Sequence, residues 1–137
     1  MANSFIGTPA NRSLMLGLML FGMPLLAFAE DVGLSKQYST CMDKAGGITA
    51  NMLDCIGAET QRQDARLNRA YKDVMAQLSA ARKKQLQEAQ RAWIRYRDAN
   101  CGFYADPDGG TLATVNGNDC FMSATAARAK ELEGFKQ

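Results

Sequence analysis

Histidine is absent from the whole 137-residue chain. That absence excludes a Ser-His-Asp or Cys-His nucleophile system, a histidine general base, and every histidine-containing zinc or haem site. A strong charge bias is missing too, since 16 Lys and Arg stand against 14 Asp and Glu, a formal net charge of +2. Phosphate binding needs a concentrated basic face, so this balance gives no reason to expect a nucleic acid partner. There is no internal repeat and no low-complexity tract. The four cysteines, Cys41, Cys55, Cys101 and Cys120, are spaced too widely for a CxxC redox motif. What remains, 47% hydrophobic and 22% charged residues, describes one globular domain with room for a tail.

The longest apolar run lies at residues 14–28, uncharged and interrupted by Gly17, Gly22 and Pro24. Arg12 precedes it, and Ala27-Phe28-Ala29 follows before Glu30 and Asp31. A basic flank, a short apolar stretch and a small-x-small site predict a secretory signal, cleaved after Ala29. The run is too short to span a bilayer comfortably, and no cysteine sits at the cut to carry a lipid. Residues 1–29 are therefore expected to be a signal peptide and 30–137 the domain, 108 residues with a net charge of +1. In an oxidising periplasm or outside the cell an even cysteine count predicts disulfides, and four cysteines allow three connectivities.

The segment from Glu30 to Gly47 shows little periodicity, and Gly46-Gly47 would break any helix begun near Leu34. Thr49 offers an N-cap for a long helix from about Ala50 to Leu78, with Met52, Ile56, Leu67, Tyr71, Val74 and Leu78 mostly at three- and four-residue steps. Its middle, Glu59 to Arg66, is strongly polar, which fits either a solvated stretch or a buried polar contact. Ser79 then caps a second helix, about Ala80 to Phe103.

That second helix carries the most specific pattern. At 100° per residue, Leu86, Gln90, Trp93, Arg97, Cys101 and Tyr104 fall in one narrow stripe, widened by Ala89, Tyr96 and Phe103. Gln90 and Arg97 thus flank the sole tryptophan on a face that should pack. A buried guanidinium needs partners. Asp64 or Glu59 from the polar middle of the first helix is the expected partner of Arg97, and Asn68 that of Gln90. Neither Gln90 nor Arg97 supplies a nucleophile or a proton near neutral pH, so a satisfied structural network is favoured over a reactive site.

Ala105-Asp106-Pro107-Asp108-Gly109-Gly110 is turn chemistry. Asp106, Asp108 and Asp119 do not match the spacing of a calcium loop, so no metal is expected. A last helix covers Asp119 to Phe135, with Phe121, Ala124, Arg128, Leu132 and Phe135 on one face. Leu112 and Val115 continue the spacing, which leaves its start open as far back as Thr111.

Gln90-Arg91-Ala92-Trp93-Ile94-Arg95-Tyr96-Arg97-Asp98-Ala99-Asn100-Cys101 resembles the signature of the LprI-type lysozyme inhibitor domain. Leu67-Asn68-Arg69-Ala70-Tyr71 looks like that family's upstream Leu-Asn-x-x-Tyr, and Cys55 and Asp64 fall where its cysteine and acidic residue are expected. Cys120 with Thr125, Arg128 and Leu132 looks like its closing motif. The resemblance spans about Cys41 to Leu132. It implies a small, disulfide-bonded, helical envelope or secreted protein, with lysozyme inhibition attributed to at least one member.

The expectations are then as follows. The fold is all-α, three long helices in antiparallel arrangement, with a short N-terminal segment stapled to the first. The disulfides are Cys41–Cys55 and Cys101–Cys120, each closing a short loop beside a helix end. Asp64, Asn68, Gln90, Trp93, Arg97 and Arg128 form a signature polar network. The protein is a binder and no enzyme, because no motif pairs a nucleophile with a base; it needs no cofactor. Its partner is lysozyme or another cell-wall enzyme, met away from the membrane once the signal is cleaved. Lysozyme works through two carboxyl groups, so an inhibitor presents a cation or hydroxyl to them. Arg82, Lys83, Lys84, Arg91 and Arg95 are the exposed candidates, together with a loop residue such as Thr111. Against a cationic lysozyme, a chain of net charge +1 gains no long-range steering. The alternative is a structural or stress-related envelope domain that binds another protein or a small ligand in a groove near Arg97.

Overall fold

A computed structural model describes residues 31–135; the expected signal peptide lies outside the described residues. Among the described residues four helices follow one another: α1 (Lys36–Ala45), α2 (Thr49–Gln77), α3 (Ala80–Tyr104) and α4 (Gly110–Glu133). The all-α expectation agrees, but the count of three is corrected to four. The N-terminal segment is itself a helix, because Ser35 caps it by accepting from the Tyr38 amide at 3.1 Å. Gly46 ends it at φ +59°, a left-handed conformation that glycine adopts without strain. What looked aperiodic is one short amphipathic turn-and-a-half on either side of Cys41, with Tyr38, Met42 and Ala45 turned inward.

Each boundary has a local cause. α2 ends where Leu78 turns extended (φ −90°, ψ 148°), and Ser79 at once caps α3 through the Arg82 amide. After α3, the Asp106 carboxylate accepts from the Asp108 amide at 3.0 Å and the Asp106 carbonyl from Gly109 at 3.0 Å, closing a tight turn. Gly110, at φ +67°, then lets α4 begin. α4 runs unbroken through Asn116-Gly117-Asn118. Any side chain at Gly117 would collide with Ala105, so this glycine brings the start of α4 against the end of α3.

α2 and α4 are the principal packing pair; α3 docks on α4 and α1 on α2. Ile56 of α2 meets Val115 and Met122 of α4 in one apolar cluster. Leu67, Ala70, Val74 and Leu78 meet Ala129 and Leu132 in a second. Early therefore packs on early and late on late, so α2 and α4 run parallel, while α3 returns antiparallel between them in sequence. Ile56, Met122, Ala126 and Ala129 are fully enclosed, and each large apolar side chain so buried contributes about 1.5–3 kcal/mol. Two disulfides, Cys41–Cys55 and Cys101–Cys120, tie α1 to α2 and α3 to α4. Each contributes about 2–4 kcal/mol. No described helix is long and apolar enough to cross a membrane.

Candidate functional site: the signature cluster and its surroundings

The signature residues of α3 converge on α4. Arg97 lies against two rings, its guanidinium carbon 3.8 Å from the Phe121 centroid and 4.9 Å from that of Trp93. Its Nε and Nη2 donate to Asp98 at 3.0 and 2.9 Å, and its Nη1 donates to the buried Thr125 hydroxyl at 3.3 Å. Thr125 in turn donates to the Phe121 carbonyl at 2.8 Å. Arg128 reaches the other face of the same cluster. It donates to Gln90 Oε1 at 3.0 Å, pairs with Glu131 at 2.7 Å and sits 5.9 Å from the Trp93 ring. Cation–ring contacts of this kind are worth about 0.5–2 kcal/mol each.

Gln90, Trp93, Arg97 and Arg128 are thus brought together, whereas Asp64 and Asn68 are not. Both are exposed on α2. The expected partnerships of Arg97 with Asp64 or Glu59, and of Asn68 with Gln90, are replaced by contacts within α3 and from α3 to α4. The reason is topological: α3 lies along α4 rather than along α2. The widened stripe is also corrected, because Ala89, Tyr96, Phe103 and Tyr104 face solvent. Helix α3 buries only the narrow band around Arg97 and Cys101.

Glu59 serves a second centre that the sequence pattern did not resolve. Its carboxylate is fully buried and accepts from the Ser35 amide at 2.9 Å, the Ser35 hydroxyl at 2.6 Å, Gln63 at 2.7 Å and Arg62 at 2.7 Å. Burial alone would raise its pKa, but the bonds from Ser35, Gln63 and Arg62 outweigh burial and hold it at about 2. Around it, Gln63 donates to the Gly33 carbonyl and Arg66 to the Val32 carbonyl. Arg66 also forms a two-pronged pair with Glu133, at 2.7 and 2.6 Å, which depresses the Glu133 carboxyl. Lys130 donates to the Asp31 carbonyl at 2.8 Å. Residues 31–35 are thereby strapped across α2 and α4. The legible signal was register: Glu59 and Gln63 occupy the same helical stripe as Ile56 and Leu67, so these two residues of the polar middle face inward while Asp64 does not. A third polar link joins α1 to α4, where Tyr38 donates to Asp119 at 3.2 Å.

The five cations expected from the sequence as partner contacts are spread around α3, with Arg82 beside the apolar groove of Leu78, Leu86 and Phe135. Arg82, Lys84, Arg91 and Arg95 are exposed and Lys83 is half-buried; Arg82 donates to Gln85 at 3.1 Å. Thr111 is exposed at the start of α4. Among the described residues no cluster of three or more Cys, Asp and Glu stands together in a way that could hold a metal ion.

Chemically, the signature cluster is closed. Its cations are stacked and hydrogen-bonded, its carboxylates Asp98 and Glu131 are paired with those cations, and the Thr125 hydroxyl donates to the Phe121 carbonyl. Such an arrangement defines a scaffold: a small, doubly stapled all-α domain whose recognisable residues hold its helices together. The family comparison agrees with that class. The family model described as lysozyme inhibitor LprI matches residues 41–132, and the chain belongs to this family. It is also similar to an uncharacterised protein of Rhizobium meliloti (strain 1021), 33% identical over 95 residues, covering 58% of this chain and 67% of that one. No solved structure matches. The family and the two disulfides fit a secreted or periplasmic protein.

Proposed function

We propose that this protein is a secreted or periplasmic binder that inhibits a lysozyme by direct protein–protein contact. On this reading residues 1–29 are the export signal, removed after Ala29, and residues 30–137 are the working domain. The observation that carries it is the family match across both disulfides and the whole signature. The geometry supports a role of this kind: an inhibitor benefits from a rigid, preorganised body, and here two covalent ties and a saturated polar cluster supply one.

The signature residues Gln90, Trp93, Arg97 and Arg128 act as framework, and contact falls to exposed side chains. The alternative, a ligand groove near Arg97, requires a guanidinium with donors to spare. Three of its five N–H donors are engaged by Asp98 and Thr125, and Trp93 and Phe121 lie against it, which leaves little of the group to a ligand. The direct test titrates the purified, oxidised protein into wall-lysis assays with c-type, g-type and i-type lysozymes. Saturable inhibition of one type at near-stoichiometric amounts is expected; full lysis by all three in excess protein refutes the reading.

A further inference from the structure

The chain is nearly neutral, but its charges are segregated along the long axis. Residues 62–97 carry ten Lys and Arg against three acids, whereas residues 98–127 carry four Asp and neither Lys nor Arg. The fold turns this division of the sequence into two poles. The first stretch runs up α2 and back down α3 around the Ser79 corner. The second is the end of α3, the 105–109 turn and most of α4, gathered by Cys101–Cys120 and by the close approach of Gly117 to Ala105. Lys44, in the last turn of α1, is a cation on the acidic side of the molecule.

Of the six large apolar side chains exposed among the described residues, three lie at the acidic pole, the others being Ile48, Ile94 and Tyr96. Phe103 is 79% exposed, Leu112 66% and Tyr104 50%. Phe103 and Tyr104 stand edge to face, 5.7 Å between centroids. Between them and Leu112 the turn presents Asp106 and Asp108, both exposed. Solvent-facing aromatics cost solubility, and exposed apolar side chains set beside charge are the anatomy of a protein-binding surface. The turn is held by its own hydrogen bonds and stapled one helical turn away, so little ordering would be needed on contact.

We infer that this apex, Phe103, Tyr104 and Leu112 with Asp106 and Asp108, is the surface that docks a cationic protein, and, on the inhibitor reading above, a cationic lysozyme. Charge decides the occupant. A nucleic acid or an anionic membrane is repelled by the carboxylates. A second copy, meeting through a two-fold contact, sets Asp106 and Asp108 against their own counterparts. A cationic partner is attracted by this pole and repelled by the other, so the separated charges orient the encounter even though the net charge is small. Tyr104 also offers a neutral hydroxyl donor of the kind a cleft lined by carboxylates accepts.

The test measures both binding and lysis inhibition with a cationic c-type lysozyme, using the oxidised protein and three exposed-residue variants. Phe103→Ser with Tyr104→Ser is expected to weaken binding about tenfold or more. Asp106→Asn with Asp108→Asn, which keeps the oxygen that caps the turn, is expected to slow association and flatten its salt dependence. Arg91→Gln with Arg95→Gln is expected to leave binding unchanged or slightly tighter. If the unaltered protein inhibits and the arginine pair alone abolishes inhibition, the apex assignment falls while the inhibitor reading stands. If it binds lysozyme through the apex without slowing lysis, the inhibitor reading falls and the docking surface stands. If it does not bind, or if the aromatic variant merely turns a dimer into a monomer, the proposal is overturned. Thermal melts of all three variants, expected to match the parent because every altered side chain is exposed, keep misfolding out of the comparison.

Discussion

Replacing Glu59 with glutamine changes one oxygen to an amide nitrogen and should be among the costliest conservative substitutions in the chain. Four donors converge on this carboxylate: the Ser35 amide and hydroxyl, Gln63 Nε2 and Arg62 Nε. An amide presents an NH2 group to some of them, so donors would face donors in a site closed to water. Holding the carboxyl at about 2 instead of its ordinary 4.5 corresponds to about 3 kcal/mol of stability near neutral pH. Removing one partner of a buried charge-assisted network costs a similar amount, about 2–4 kcal/mol. For a domain of this size that lowers Tm by about 10–20 °C. The sign with pH follows from the depressed pKa. The contribution is complete above about pH 4.5 and is lost as pH falls toward 2. Urea unfolding of the parent and Glu59→Gln, followed by circular dichroism at pH 7 and at about pH 2.5, should show a wide gap that narrows in acid. Glu133, whose carboxyl is also depressed, is common to both proteins and cancels in the difference. Equal stability at pH 7, or a gap indifferent to acid, would refute the argument.

Two further outcomes follow from the same contacts. Burial and the neighbouring Asp119 push Tyr38 up to about 12, so one of the four tyrosines should ionise late in an ultraviolet titration, and Tyr38→Phe should delete that late step. Because the folded state holds this proton more tightly, stability should decline from about pH 10 to pH 12. Arg97→Ala should lower stability by about 2–4 kcal/mol, since it removes two ring contacts and leaves the buried Thr125 without its donor; a variant that melts like the parent but no longer binds would make Arg97 a contact residue instead.

The three long helices were legible because periodicity and capping agree locally: Ser79 between two apolar patterns says where one helix stops and the next begins. The disulfide pairing was legible for the same local reason, each cysteine lying near its partner across a turn. α1 was missed because ten residues give too few turns for a period to stand out beside Gly46-Gly47. The partners of Arg97 were missed for a different reason. Periodicity shows which face of α3 is buried but not which helix covers it, and α4 rather than α2 does so. Stacking on Phe121 could have been suspected only by pairing the inward stripes of α3 and α4. The exposed aromatics were misread because Tyr96 and Phe103 lie just outside a buried band narrower than a typical core stripe.

Both sulfur bridges join cysteines that are consecutive in the sequence, and each lies within one pair of neighbouring helices. A chain entering an oxidising compartment N-terminus first would present Cys41 and Cys55 well before Cys101 and Cys120. Simple first-come pairing then yields the native bridges, with no need for an isomerase to undo a wrong one. The domain is in effect two covalently closed hairpins, and no bridge runs from one to the other. Beyond the backbone at Ser79, their union is left to the noncovalent seam between α2 and α4, around Ile56, Met122 and Leu132, and to the polar links Arg66–Glu133 and Tyr38–Asp119. Damage to that seam would let the halves part while each stayed closed, whereas reduction would open the hairpins and spare the seam.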